Sequence, residues 1–214
     1  MQTYSPLDPN TLNAEQCAED LAPLMFLVEN PDGRTKSRSC IDGSKQRRIM
    51  GYKKEDSASP TVSNDGLMIR SAIEAHEKRH VACIDMLGAY LHALTDEEEI
   101  MLLRGPLNEL MAMFEPKLYR KFVTHDNKGV ELFYVKMNKA LYGLLKNDFL
   151  FYKKLVEDLE AYGFNINPYD SCVANKIING KKMTVKWLID DLKVSHQDAF
   201  EITIFCIMPV RHIR

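Results

Sequence analysis

Two places in the 214-residue sequence set carboxylates directly after apolar runs. Asp85 follows Val81-Ala82-Cys83-Ile84, and Asp190-Asp191 follow Val185-Lys186-Trp187-Leu188-Ile189. A carboxylate at the end of a buried strand costs free energy unless it is paired or bound to a cation. Two consecutive carboxylates also repel each other, and that repulsion favours a divalent ion between them and a third group. Three carboxylates on adjacent strand ends can hold two Mg²⁺ ions ~3.5–4 Å apart, a pair that activates an attacking hydroxyl and stabilises the leaving group of an in-line displacement. Mg²⁺ suits the task because it takes oxygen ligands and keeps part of its water and phosphate shell. On composition alone the plainer reading of Asp190-Asp191 is a polar hairpin turn, where Asp is common.

A second kind of chemistry lies in the basic residues. Arg34, Lys36, Arg38, Lys45, Arg47, Arg48, Lys53 and Lys54 fall in one segment with few acids. The whole chain has 28 Lys+Arg against 30 Asp+Glu, a net charge of −2, so this is real segregation. Such a segment can grip phosphates or simply be a solvated loop; composition leaves both open. The overall balance excludes a uniformly basic nucleic-acid binder. Cys17, Cys40, Cys83, Cys172 and Cys206 form no C-x-x-C and are odd in number, which favours reduced thiols in an intracellular compartment over disulfides or zinc. The first residues lack the pattern of a signal peptide, and the apolar runs 21–28 and 202–210 fall far short of a bilayer span, so no membrane partner is expected. No G-x-G-x-x-G, P-loop or G-x-S-x-G is present. At 45% hydrophobic and 27% charged, the chain has enough apolar residues for a core, and collagen, disorder and disulfide mini-proteins are excluded.

The elements that must position these residues are readable in outline. Residues 1–20 are polar and turn-rich, expected to be loosely attached. Residues 24–28 read as a strand, Pro31-Asp32-Gly33 as a turn and Thr35–Ile41 as the returning strand; residues 42–62 read as loop. Ser63-Asn64-Asp65 starts a helix whose Leu67, Met68, Ala72, Ile73 and His76 share a face. Residues 81–84 read as a buried strand, residues 107–118 as a helix and 132–137 as a strand. From Asn147 to Tyr162, Leu150, Phe151, Leu155, Leu159 and Tyr162 share a helical face, with Gly163 as its cap. Cys172–Ile178 and Lys181–Ile189 are strands joined by Asn179-Gly180, a strong hairpin signal, and Val194 begins another. Asp96–Glu99 reads as a solvated face, and Met111 and Met113 as ordinary packing. The class is α+β: an antiparallel sheet with helices on one side.

The neighbourhoods of the acids carry more. Cys83-Ile84-Asp85-Met86-Leu87-Gly88-Ala89-Tyr90-Leu91 resembles the first catalytic motif of reverse transcriptases of copia-type retrotransposons, where an Asp precedes Ala-Phe/Tyr-Leu and an acidic cluster such as Asp96–Glu99 follows. Lys139-Ala140-Leu141-Tyr142-Gly143-Leu144 resembles the family's template- and nucleotide-positioning motif. Leu188-Ile189-Asp190-Asp191-Leu192 is similar to its aromatic-Val-Asp-Asp-Leu catalytic hairpin. Ala58-Ser59-Pro60-Thr61-Val62 resembles the segment that precedes the palm, and Asp170-Ser171-Cys172 the lead-in to the hairpin. All five occur in family order, over roughly residues 24–200.

The resemblance implies a right-hand polymerase palm, an antiparallel sheet with helices packed on one face, plus partial fingers. Its ranges are a polar extension over 1–23, fingers with a basic hairpin over 24–62, a palm over 63–200 and a C-terminal tail over 201–214. The implied activity is RNA-directed DNA synthesis: attack of a primer 3′-OH on the α-phosphate of a dNTP. Asp85, Asp190 and Asp191 would be both the catalytic groups and the ligands of two Mg²⁺, for which Mn²⁺ can substitute. Tyr90 would sit under the sugar as a gate against a 2′-OH. Gly143 would let backbone approach nucleotide and template, and Lys45, Arg47 and Arg48 are the candidates for the triphosphate, with the choice among them open. Arg34, Lys36, Arg38, Tyr142 and Leu188 would touch nucleic acid. The partners are an RNA or DNA template-primer, a dNTP and the remainder of a retroelement polyprotein, in the cytoplasm or nucleus.

Departures accompany the match. Leu188 stands where the family usually has Tyr, a ring that touches the primer end. Leu145-Lys146-Asn147-Asp148-Phe149 replaces a common Lys-Gln-Ala-Pro-Arg, and the fingers are short. The downstream thumb, connection and RNase H regions are not represented, so weak or no processive synthesis is expected of the isolated chain. The competing expectation is a degenerate remnant that at most binds nucleic acid or a partner.

Overall fold

The computed structural model describes residues 3–49 and 57–212, and for 47–49 and 208–212 the backbone only. Lys53 and Lys54 of the basic segment therefore lie outside the described residues, as do the side chains of Arg47 and Arg48. In chain order the strands are β1 (Tyr4–Leu7), β2 (Pro23–Glu29), β3 (Thr35–Ile41), β4 (His80–Asp85), β5 (Ile100–Arg104), β6 (Thr124–His125), β7 (Glu131–Met137), β8 (Asn165–Asn167), β9 (Asp170–Ile178), β10 (Lys181–Leu188) and β11 (Asp191–His196). The helices are α1 (Ala14–Ala18), α2 (Ser44–Ile49), α3 (Asn64–His76), α4 (Pro106–Phe114), α5 (Pro116–Tyr119), α6 (Asn147–Ala161) and α7 (Ala199–His212). They form two compact units, each assembled from two stretches of chain: Met1–Ser57 with Ala93–Asn147, and Ala58–His92 with Asp148–Arg214.

The first unit is built on β7. It pairs antiparallel with β1, β5 and β6, and Phe133, Val135 and Met137 are buried. The N-terminal residues are not loosely attached. β1 pairs with β7 from Tyr4↔Met137 to Leu7↔Tyr134, and Leu21 is buried beside β5, its N–H donating to the Ile100 carbonyl at 2.9 Å. An exposed edge of β7 offers unmet backbone groups, and a short polar segment with Pro6 can satisfy them. The helix expected over 107–118 is divided into α4 and α5 at Glu115, whose φ of −137° reflects the proline that follows it. Met113 is exposed there rather than packed. β2 and β3 form a separate two-stranded hairpin whose large apolar residues Leu24–Val28 are all exposed, Leu27 by 68%.

Within 42–62, expected to be loop, the structure forms α2. Local propensity does not explain this; tertiary bonds do. Buried Gln46 donates to Glu99 Oε1 at 2.6 Å and accepts from the Leu145 N–H at 3.0 Å, tying the helix to two distant loops.

The second unit carries a five-stranded antiparallel sheet in the order β4-β11-β10-β9-β8. The Asn179-Gly180 turn has φ of 50° and 74°, as a two-residue type I′ hairpin requires. Alternation assigns the faces. Met183, Val185, Trp187, Leu192 and Val194 share one face by register and are buried. On that side α6 buries Phe151, Leu155 and Leu159, its Tyr152 ring 6.4 Å from Trp187, and Gly163 (φ 81°) ends the helix as expected. Phe205 of α7 meets Phe164 at 5.7 Å.

Two expectations are corrected here. Among the described residues β4 is an edge strand, paired to β11 alone, and Val81 and Cys83 are exposed rather than buried. In α3, Ser63 caps as expected, its Oγ accepting from the Gly66 N–H at 3.0 Å, but the buried residue is Glu74. Leu67, Met68, Ile69 and Ile73 face outward. The sheet face that α3 meets presents Lys186 and Lys193, so charge pairing rather than apolar periodicity sets the helix rotation.

Candidate active site

β10 and β11 close at the pair Leu188↔Asp191, which leaves Ile189 and Asp190 as the turn. Ile189 has φ 57°, a left-handed conformation that a β-branched residue adopts only under constraint. β4 lies alongside, with Asp85 directly opposite Asp191. The Met86 N–H donates to the Asp190 carbonyl at 3.1 Å and carries the ladder one step past the pair. Directly opposed residues hold their Cβ atoms about 4.5–5.5 Å apart on one face, and like charges there are destabilising. Asp85 and Asp191 are exposed and Asp190 is half-buried. The expected cost of carboxylates at buried strand ends therefore does not arise, and the strain comes from opposition instead. Among the described residues no group of three His, Cys, Asp or Glu is disposed to hold a metal ion. An exposed pair of oxygen donors nevertheless fits the habit of Mg²⁺, which is bound through one or two carboxylates plus substrate phosphates.

Leu188 is 49% exposed, and as the partner of Asp191 it stands on the same face. Tyr90 lies in a short 3-10 turn, 6% exposed, with its ring edge-on to Phe151 at 6.1 Å and its hydroxyl donating to Asp148 Oδ1.

The remaining candidates belong to the first unit. Gly143 has φ 100°, and a Cβ there would overlap the carbonyl of Ile41. The close approach that needs the glycine is that of the chain's own β3, whose Ile41 N–H donates to the Tyr142 carbonyl at 2.7 Å. The Tyr142 side chain is exposed. Lys45 Nζ pairs with Asp20 Oδ1 at 2.6 Å, and Arg34 with Asp32 Oδ2 at 2.6 Å. Lys36 and Arg38 are exposed on β3, across from Val28 and Phe26. Asp96–Glu99 is not wholly a solvated face: Glu99 is 6% exposed, and burial pushes its carboxyl up to about 7.

Residues 27–212 match the family model described as Reverse transcriptase (RNA-dependent DNA polymerase). The chain belongs to the reverse transcriptase family. Its antiparallel sheet with packed helices is the palm fold of such polymerases, and β4 with the β10–β11 hairpin carries the three aspartates. No curated protein matches the chain. A solved structure of telomerase from Candida albicans, in complex with a TWJ fragment of telomeric RNA, is similar with 10% identity and a TM-score of 0.44. The match covers 98% of this chain and 41% of the telomerase chain, so this reverse transcriptase sequence spans about two-fifths of that relative's length.

Sequence reasoning missed three arrangements in this reverse transcriptase chain. Glu74 pairs with Lys186 and Lys193, Gln46 with Glu99, and Asp148 with Tyr90. A signal existed for the first: Lys186 interrupts an otherwise apolar strand, and a buried lysine needs an acid. The other two join residues 53 and 58 positions apart and have no local signature.

Proposed function

We propose that the chain is the palm and partial fingers of the reverse transcriptase of a copia-type element, and that its chemistry is two-metal transfer of a nucleotide from dNTP to a primer 3′-OH. The observation that carries the reading is the cross-strand opposition of Asp85 and Asp191, with Asp190 in the adjoining turn, inside a chain of the reverse transcriptase family. Asp85 and Asp191, with Asp190 in the adjoining turn, would hold the ions, which would lower the pKa of the attacking hydroxyl and neutralise charge on the leaving pyrophosphate. The ladder between β4 and β11 holds the carboxylates at fixed spacing, and the strained Ile189 turn aims Asp190. Leu188 offers the primer end an apolar surface in place of a ring. Tyr90 is the sugar gate, and Lys45, Arg47 and Arg48 are the candidates for the triphosphate, with the choice among them open.

Primer extension on an RNA template with Mg²⁺ tests this. Asp190→Asn together with Asp191→Asn is expected to lower incorporation on the order of 10³-fold, since loss of metal ligands removes several kcal/mol of transition-state stabilisation. Robust synthesis by the double variant would sink the assignment.

A second reading, a chain that binds nucleic acid without catalysis, is favoured by one observation. The Tyr90 ring is buried and its hydroxyl is held by Asp148, where a gate needs a face toward the sugar. Tight template binding with no incorporation, unchanged by chelation, would select it.

A further inference from the structure

β4 ends at Asp85, and the chain turns through residues 86–88 into the 3-10 turn Ala89–His92 that carries Tyr90. The Ala89 N–H donates to the Met86 carbonyl at 3.1 Å and the Leu91 N–H to the Gly88 carbonyl at 2.8 Å. Gly88 has φ 64°, so this reversal is available without strain. The turn delivers Tyr90 to one side of α6, where its side chain is gripped at two points. The Phe151 ring meets it edge-on, at 86° between planes. The Tyr90 hydroxyl donates to Asp148 Oδ1. Asp148 and Phe151 are three residues apart on α6, so they reach out from the same side of the helix. A hydrogen bond to a carboxylate is stronger than one between neutral groups, and Asp148 sits in the first turn of α6, where the helix dipole favours a negative charge. Tyr90 and Phe151 are both buried, and close packing leaves such rings little room to change rotamer.

A ring excludes a larger sugar only if it does not yield. A phenol free to change rotamer moves aside for one extra oxygen, whereas a phenol fixed at its edge and at its hydroxyl does not. The contacts that bury Tyr90 are therefore also the contacts that stiffen it. We propose that Asp148 is a positioning residue that fixes Tyr90, so that the site takes 2′-deoxyribonucleoside triphosphates and rejects ribonucleoside triphosphates. This choice of sugar rests on the polymerase reading of Asp85, Asp190 and Asp191.

Single-nucleotide extension of a primer on an RNA template tests it, with the full chain, Mg²⁺, and dATP or ATP opposite a template uridine. The quantity read is the ratio of kcat/KM for ATP to that for dATP. The wild type is expected to prefer dATP. Asp148→Ala is expected to raise the ratio on the order of 10-fold, the effect of losing one hydrogen bond to a carboxylate. Asp148→Asn keeps an acceptor oxygen and is expected to stay close to the wild type. Tyr90→Phe removes the same bond from the other side, keeps the ring, and is expected to match Asp148→Ala. The double variant is expected to do no more than either single one, because both remove one interaction. A variant that merely loosens the fold lowers both kcat/KM values together and leaves the ratio alone. Melting curves report whether Asp148→Ala folds, and Tyr90→Phe carries the test if it does not. An unchanged ratio in Asp148→Ala and Tyr90→Phe, additive effects in the double variant, or Asp148→Asn behaving like Asp148→Ala would overturn the role of Asp148 and leave the polymerase reading standing. A wild type that uses ATP as well as dATP would do the same. A wild type that incorporates neither nucleotide would sink the polymerase reading, and the sugar choice with it.

Discussion

Asp85 and Asp191 show how one register decides the meaning of a residue. Either aspartate alone is an exposed polar group at a strand end, and together they are two like charges across a ladder. Such opposition costs ~0.2–1 kcal/mol. Asp85→Asn is therefore expected to raise the melting temperature slightly in chelator. Mg²⁺ is expected to raise it in the wild type, because an ion that binds only the folded state stabilises it, and to have no such effect on the variant. Thermal melts with and without Mg²⁺ check both arms; a variant that still responds to Mg²⁺ would remove Asp85 from the ligand set. The pairing of motifs that supplied these residues was legible in the sequence. Their exposure was not, because burial at an edge strand depends on what lies beside it, and among the described residues β4 has a strand neighbour on one side only.

At the scale of elements, strands and helices with strong local signals appear where composition and periodicity set them. The Asn179-Gly180 hairpin, the Gly163 cap and the Ser63 cap are examples, each set by backbone geometry that few residues satisfy. Helix rotation was not legible in the same way. The apolar residues of α3 suggested an inward face, yet the helix turns Glu74 inward, because Lys186 and Lys193 across the gap outweigh a few apolar contacts. Glu74→Ala is expected to cost roughly 3–5 kcal/mol in chemical denaturation, since it leaves a buried ammonium uncompensated. The pair Glu74→Leu with Lys186→Met is expected to recover most of that loss. If Glu74→Ala melts like the wild type, the ion pair does not anchor α3.

For the whole molecule, each compact unit is made from two separated stretches of chain, and the clasp of Gln46, Glu99 and Leu145 joins three distant segments of the first unit. This clasp should make stability depend on pH. Burial, followed by the nearby Glu97 and Asp96 charges, raises the Glu99 carboxyl from 4.5 to about 7, against the hydrogen bond from Gln46. The folded state thus favours the protonated form. Its contribution is complete below pH 4.5, declines as pH rises, and is lost above about 7, an effect of about 3 kcal/mol. Glu99→Gln keeps the acceptor for Gln46 and should flatten this profile, with a gain of ~2 kcal/mol at pH 8; an unchanged slope in denaturant melts between pH 5 and pH 8 would refute the role of Glu99. The family and the α+β class were legible in the sequence itself, and so were the candidate aspartates, because short motifs in the family's order and two-residue turns are local patterns. The opposition of Asp85 to Asp191, the inward turn of Glu74, the sharing of Glu74 by Lys186 and Lys193 and the clasp on α2 were decided only by tertiary structure. Each depends on register or on burial between residues far apart in the chain, and no local rule carries that information.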